Sequence, residues 1–238
     1  MAKKKFEVNF QDLFEVDVTP DAATRNYERL GAGISSLTPS TNENVDQSAY
    51  LDGNGYGSSS VTSAQLTFSV SGHRVLGDPA QDYIVSKEFE LGDERETNFR
   101  FFDSRGTERR GPCTLANLQV GGGDAQGKKE ISFEIHLNGK PEKIDPVDAP
   151  ELTTIFAAGS KAGTVKGTVT IVEAENKLAY RVTSASFEVM KNSYHAGASN
   201  YTSGNDIIAS AGQFVTIFEL NKYDRVVKSK TIAFESIA

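Results

Sequence analysis

Alternation of apolar and polar residues marks the clearest elements of this chain. Residues 64–70 set Ala64, Leu66, Phe68 and Val70 against Gln65, Thr67 and Ser69. Residues 131–137 repeat the pattern with Ile131, Phe133, Ile135 and Leu137 facing one way. A period of two places one face on a core and leaves the other to solvent or a partner, so both stretches predict half-buried strands. NFRFF (98–102) and CTLANLQV (113–120) are further strand candidates, and SRGTERRG (104–111) between them reads as a hairpin turn with charged edges.

One stretch changes period. In DPAQDYIVSKEFELG (78–92), Asp78 is a cap, Pro79 suits the first helical turn and Gln81 stands three residues after the cap. Ala80, Ile84 and Leu91, or Gln81, Val85 and Phe89, recur near helical spacing, and Gly92 supplies a stop. A strand through IVSKEFEL is the rival, because Val85, Phe89 and Leu91 also alternate. The cap favours a helix.

Prolines and acids in KIDPVDAPELT (143–153) separate two strand-rich regions. The organisation predicted is a domain over 1–144, a linker over 145–152 and a second domain over 153–238. The second contains TVKGTVTIVE (164–173), LAYRVTSASFEV (178–189), QFVTIFEL (213–220) and RVVKSKTIAF (225–234), joined in part by the short turns ENK and NKYD. It reads as a small antiparallel β module able to fold alone, with a long polar loop over 190–206.

Composition narrows the function classes. Of 238 residues, 38% are hydrophobic and 24% charged, which fits a globular chain rather than a disordered one. No apolar run is long enough to cross a bilayer, and FEVNFQDLFEVDV is too interrupted by charge for a signal peptide core. A single Cys113 excludes an internal disulfide framework and suits a reducing site of synthesis. Residues 1–144 hold 16 Lys/Arg against 22 Asp/Glu, a balance of −6, whereas 145–238 hold 9 against 10. That excess of acid argues against nucleic-acid binding, which needs clustered bases to neutralise phosphates. The basic run Glu108-Arg109-Arg110 is short enough to be a hairpin edge or half of an intersubunit salt bridge.

Candidate chemistry is sparse. GGGDAQGKK approaches a phosphate-binding loop through Gly122, Gly127 and Lys128. Lys129 stands where a Ser or Thr is needed, however, and a strand rather than a helix follows. LDGNGYG has Asp52 and Asn54 at calcium-loop spacing, but Ser63 occupies the place of the bidentate acid. His73, His136 and His195 lie far apart. Cys113 reads as a buried structural thiol, and His136 falls on the polar face of its strand. The carboxylate pairs Glu88/Glu90, Glu94/Glu96 and Asp145/Asp148 read as solvated charge. No catalytic, metal-binding or cofactor-binding set emerges, and no cofactor is expected.

Three long strings carry a resemblance: SGHRVLGDPAQDY, ELGDERETNFRFFD and EIHLNGKP. With NYERLGAGISSL and GPCTLANL around them, residues 25–141 resemble the tail tube proteins of long, non-contractile phage tails. The last third resembles, less closely, the small β domains that some of these proteins append. The resemblance implies a mainly β fold, a sandwich or barrel-like domain with one flanking α-helix, followed by a small β-sandwich-like C-terminal domain. It implies hexameric rings stacked around a tape measure protein, other tail proteins as partners, and a lumen through which DNA passes without specific binding. It implies a virion tail location, synthesis in the host bacterial cytoplasm, no membrane insertion and no enzymatic activity.

Within that frame the polar stretch TNENVDQSAYLDGNGYGS (41–58) gains a role. A metal loop, a disordered linker and a long arm all fit its composition. The resemblance favours an inter-ring loop spanning about 38–60, with Val45, Tyr50, Leu51 and Tyr56 as candidate intersubunit anchors. Polar faces such as Gln65/Thr67/Ser69 would line water or neighbouring subunits, and an acidic lumen would let DNA slide. The alternative class is a carbohydrate- or cell-surface-binding β module centred on 150–238, with Tyr194, His195, Asn200 and Tyr201 as a candidate glycan-contact loop.

Overall fold

A computed structural model describes residues 6–122, 124–170 and 173–235. The fold is mainly β, built of several antiparallel sheets, with one α-helix among the described residues. The chain divides into two compact units. One comprises Leu13–Phe101 and Arg109–Lys143; the other comprises Met1–Asp12, Phe102–Glu108 and Ile144–Ala238.

The first unit opens with β1 (Leu13–Asp17), β2 (Tyr27–Arg29) and β3 (Ile34–Ser40). Next come β4 (Asn44–Ala49) and β5 (Gly57–Ser63), then β6 (Thr67–His73) and α1 (Pro79–Ser86). The series ends with β7 (Glu96–Phe102), β8 (Glu108–Val120), β9 (Glu130–Leu137) and β10 (Glu142–Ile144). Eight strands form one sheet in the order β2-β1-β7-β8-β9-β6-β3, with β10 paired to β8. Ile131, Phe133, Ile135 and Leu137 are all buried, as their alternation requires. Register sets Phe68 and Leu115 opposite Ile135, and Val70 opposite Phe133. Each such side chain contributes roughly 1.5–3 kcal/mol on burial. The predicted strand over 64–70 starts later, at Thr67, which leaves Ala64 exposed and Leu66 half-buried.

The helix forms where its cap is. Asp78 Oδ1 accepts from the Gln81 amide at 2.9 Å, and Ala80, Gln81 and Ile84 are buried. It ends at Ser86, well before Gly92. Arg95 donates to Glu90 O at 2.6 Å and Glu88 O at 2.7 Å, so a guanidinium takes carbonyls that a further helical turn would have used. Phe89 and Leu91 consequently stand exposed, against the expectation that they continue the buried stripe.

The second unit holds β11 (Thr154–Ala158), β12 (Thr164–Val169), β13 (Lys177–Thr183), β14 (Ser199–Tyr201), β15 (Asp206–Ile208), β16 (Gln213–Leu220) and β17 (Val226–Phe234). They make two sheets, β11-β12-β15 and β14-β13-β16-β17. Val165 and Ile207 of the first sheet share a core with Leu178, Val215, Ile217 and Phe234 of the second, which is a small sandwich. A second cluster, with Phe218, Leu220, Val226 and Val189, covers the opposite face of β16. The strand expected over 178–189 stops at Thr183, and the segment expected as a loop contains the short strand β14 and ends where β15 begins.

The stretch 145–152 is bonded into this unit. Lys191 N donates to Val147 O at 2.8 Å, Ala149 N to Val189 O at 2.7 Å and Leu152 N to Ser229 O at 2.9 Å, and Leu152 is buried. The turn at 103–107 belongs to the unit too. Asp103 Oδ1 accepts from the amides of Arg105 and Thr107, and Gly106 adopts φ +94°. A Cβ on Gly106 would meet Lys191 O at 2.4 Å, so only glycine fits there.

Candidate functional site

An organised polar surface lies on the outer face of β3, β6, β9 and β8. Register lines its residues into three rows across four strands. Ser36, Ser71, Ser132 and Gln119 form one row; Thr38, Ser69, Glu134 and Ala116 the next; Ser40, Thr67, His136 and Thr114 the third. The face follows from the same alternation that fills the core, since every second residue of these strands points away from it. Hydroxyls dominate, and Glu134 and His136 are the ionisable groups in the rows.

Both are fixed by a bulge. Register slips between Ala116 and Gln119, and Asn117 takes φ +50°. From there its Nδ2 donates to Glu134 Oε2 at 2.9 Å, while His136 Nε2 lies 2.7 Å from the same oxygen. These bonds, His136 first and Asn117 second, hold the Glu134 carboxyl below the usual carboxylate range. Of the polar face expected over Gln65/Thr67/Ser69, Ser69 is open. Thr67 is buried, where Asn42 Nδ2 bonds its Oγ1 at 2.8 Å, and Gln65 Nε2 donates to Leu137 O at 3.3 Å. At one end of the sheet β3 has a free edge among the described residues, seven residues long and broken by Pro39.

The polar stretch 41–58 forms most of a hairpin rather than a loop. β4 and β5 pair with each other, Val45 opposite Val61 and Ala49 opposite Gly57, in a two-stranded sheet of their own. The connection closes through Gly53 N to Tyr50 O at 3.0 Å and Tyr56 N to Gly53 O at 2.9 Å, with Asn54 and Gly55 at positive φ. Leu51 is 104% exposed and Tyr56 82%, and Val45, Tyr50 and Val61 are exposed as well. A lone two-stranded hairpin with no buried face is marginal in water, so this element lacks the packing that normally stabilises a sheet.

The four residues of the candidate glycan loop do not share one open face. Tyr201 is buried; its hydroxyl bonds Gly167 N at 2.9 Å, Gly167 O at 2.8 Å and Asn205 O at 3.0 Å. His195 lies 4.2 Å, ring to ring, from Phe218 and 5.3 Å from Phe187. Burial foremost, with help from Arg181, pushes its pKa down to about 4. Tyr194 meets Phe10 edge-on at 6.1 Å, and Asn200 is exposed.

Arg225 is the residue that pattern reading misses. It is 2% exposed, and its guanidinium donates to Asp103 O at 2.7 Å, Asn192 O at 3.0 Å and Phe102 O at 3.4 Å, and also to Gln11 O. Three separate segments thus converge on one buried cation. In the sequence an arginine beside Val226 looks like a strand-edge base, and nothing local distinguishes it.

Elsewhere the chemistry is structural. Residues 121–129 connect the antiparallel strands β8 and β9, with Gly127 N bonded to Asp124 O; residue 123 lies outside the described residues. Burial pushes the Cys113 thiol up to about 12. Among the described residues no three His, Cys, Asp or Glu side chains group as metal ligands, and no helix is long and apolar enough to cross a membrane.

Comparison with known proteins gives partial matches. Residues 157–236 match the family described as the S-layer protein SbsC C-terminal domain. No curated protein matches. The tail of an empty gene transfer agent (GTA) particle, refined with C6 symmetry, is similar at 14% identity and a TM-score of 0.49, over 59% of this chain and 100% of that one. The virion of a native GTA particle is similar at 13% identity and 0.47, with the same coverage. Domains 7, 8 and 9 of the S-layer protein SbsC are similar at 19% identity and 0.37, over 56% of this chain and 38% of that one.

Proposed function

We propose that the chain is a structural subunit of a phage-type tail tube. It assembles as stacked hexameric rings around a tape measure protein and forms a conduit for DNA delivery in the virion tail. The observation that carries the reading is the four-strand polar face beside an unpaired seven-residue edge. The wording of residues 25–141, set out above, supports it independently. Pairing of that edge with a neighbouring copy closes the sheets into a barrel and removes an edge otherwise prone to aggregation. The face of hydroxyls then lines the bore, with Glu134 as its acid. The rows hold no Lys or Arg to bind phosphate, and His136 is bonded to Glu134, so DNA slides. The exposed hairpin reaches an adjacent ring, with Val45, Tyr50, Leu51 and Tyr56 as anchors.

Electron microscopy of the concentrated full-length protein, alone and with tail proteins, tests the proposal. Rings or tubes are expected. A strictly monomeric species in every condition overturns it.

A further inference from the structure

We propose that Lys228 and Asn176 join through an isopeptide bond within one chain, with Glu219 carrying the protons. The reaction needs no second copy and stands apart from assembly.

Glu219, on β16, is fully buried, yet only one of its carboxylate oxygens is bonded. Oε1 accepts from Asn176 Nδ2 at 2.8 Å, and Asn176 is itself 8% exposed. Oε2 is buried with no hydrogen-bond partner among the described residues. Buried polar atoms are nearly always satisfied, and an exception calls for a role. Lys228 is placed to supply one. β16 lies between β13 and β17, and register sets Leu178 and Lys228 on either side of Glu219. Opposed residues of an antiparallel pair project to the same face. Leu178 packs in the core with Val215 and Ile217, so this row looks into the sandwich, and Asn176 precedes Leu178 by two residues on the same face. Opposed Cβ atoms stand about 5 Å apart, so a lysine side chain can reach both the carboxyl and the amide bonded to it. The neighbouring lysines are engaged, Lys177 with Asp224 and Lys230 with Glu151. Half-buried Lys228 has no ion pair among the described residues.

An amine, a carboxamide and a carboxyl are what the bond requires, and no outside reagent enters. Glu219 Oε2 takes a proton from the Lys228 ammonium, and the freed amine attacks Cγ of Asn176. The Nζ–Cγ bond forms, the carboxyl hands its proton to Nδ2, and the Cγ–Nδ2 bond breaks. Ammonia departs with the remaining amine proton, so the products are a secondary amide and one ammonium ion. Holding the two partners on one row replaces a bimolecular encounter, and burial keeps out the water that would instead hydrolyse the amide. The product ties the chain ahead of β13 to β17 across the intervening β16, which locks the edge strand of that sheet covalently.

Mass spectrometry of the full-length protein tests the bond. After prolonged incubation at neutral pH, wild type should be lighter than its sequence by one ammonia. Digestion should then yield a branched peptide joining the segments of Asn176 and Lys228. Lys228→Arg, which keeps the charge but removes the primary amine, and Glu219→Gln, which keeps the shape but removes the proton carrier, should both retain the full sequence mass. Wild type should also unfold at a higher temperature than Lys228→Arg, because a cross-link constrains the unfolded chain. Wild type at its full sequence mass would overturn the proposal, and that result needs no variant to fold. Loss of ammonia that persists in Lys228→Arg, with no branched peptide, would overturn it too and assign the loss to a succinimide at an Asn-Gly pair such as Asn54-Gly55.

Discussion

Replacing Arg225 by Met removes a buried cation while keeping most of its volume. In the native protein the guanidinium donates to four carbonyls, those of Gln11, Phe102, Asp103 and Asn192. A hydrogen bond from a charged donor contributes about 1.5–3 kcal/mol net. Against that stands relief from burying an ion, which costs several kcal/mol. The apolar side chain, however, takes the charged donor from four carbonyls, of which Asp103 O keeps the Gly106 amide. The balance is a loss of about 3–5 kcal/mol, the range for removing one side of a buried charged network. In a chain of this size each kcal/mol moves the midpoint by about 2–4 °C, so Tm should fall by roughly 10 °C. Calorimetry should place the loss in the transition of the unit containing β11–β17, and limited proteolysis should open 6–12 and 102–108 first. Arg225→Lys should recover less than half of the loss, since one ammonium cannot match the planar fork. A Met variant within about 1 kcal/mol of wild type would refute the reasoning, showing that the convergence on Arg225 is incidental. By the same logic residues 144–238 alone should not fold, because they lack three of the four acceptors.

Other predictions follow from single environments. Burial and Arg181 hold His195 neutral to about pH 4, whereas an unfolded histidine takes its proton near 6.5. The unfolded chain therefore binds the extra proton first as pH falls. Stability should decline from about pH 6.5 and level off below about pH 4, by up to ~3 kcal/mol, in denaturant titrations, and His195→Phe should flatten that part of the profile. Cys113, buried with its thiol pushed up to about 12, should resist thiol reagents in native protein and react at the unfolding rate. Rapid native labelling would contradict this. Gly106→Ala, which drives a Cβ into Lys191 O at positive φ, should cost about 3 kcal/mol by thermal unfolding. Glu134→Lys, which also gives up the bonds from Asn117 and His136, should make assembled tubes retain DNA at low salt.

What was legible in the sequence is what burial writes as a period. β9 was plain because each second residue fills the core, and α1 was plain because Asp78 caps it with Pro79 and Gln81 in place. The hairpin was not, because β4 and β5 bury nothing and so carry no apolar alternation; only their backbone pairing makes them strands. Phe89 and Leu91 misled in the opposite way, since hydrophobic spacing implies burial and Arg95 folds that segment outward. Tyr201 read as a surface aromatic, yet its hydroxyl is consumed by Gly167 and Asn205, partners that fall close only in three dimensions. Arg225 was invisible for the same reason: its acceptors are backbone carbonyls from distant segments, and backbone groups leave no mark in composition.

The account depends on copies joining sheet edges so that the polar face turns inward. A cryo-electron reconstruction of the assembled full-length protein measures this directly. It should show β3 hydrogen-bonded to a strand of the adjacent copy, with Ser69 and Glu134 facing a hollow bore. Particles in which β3 stays unpaired and the Ser69–Glu134 face points to the outside would contradict it.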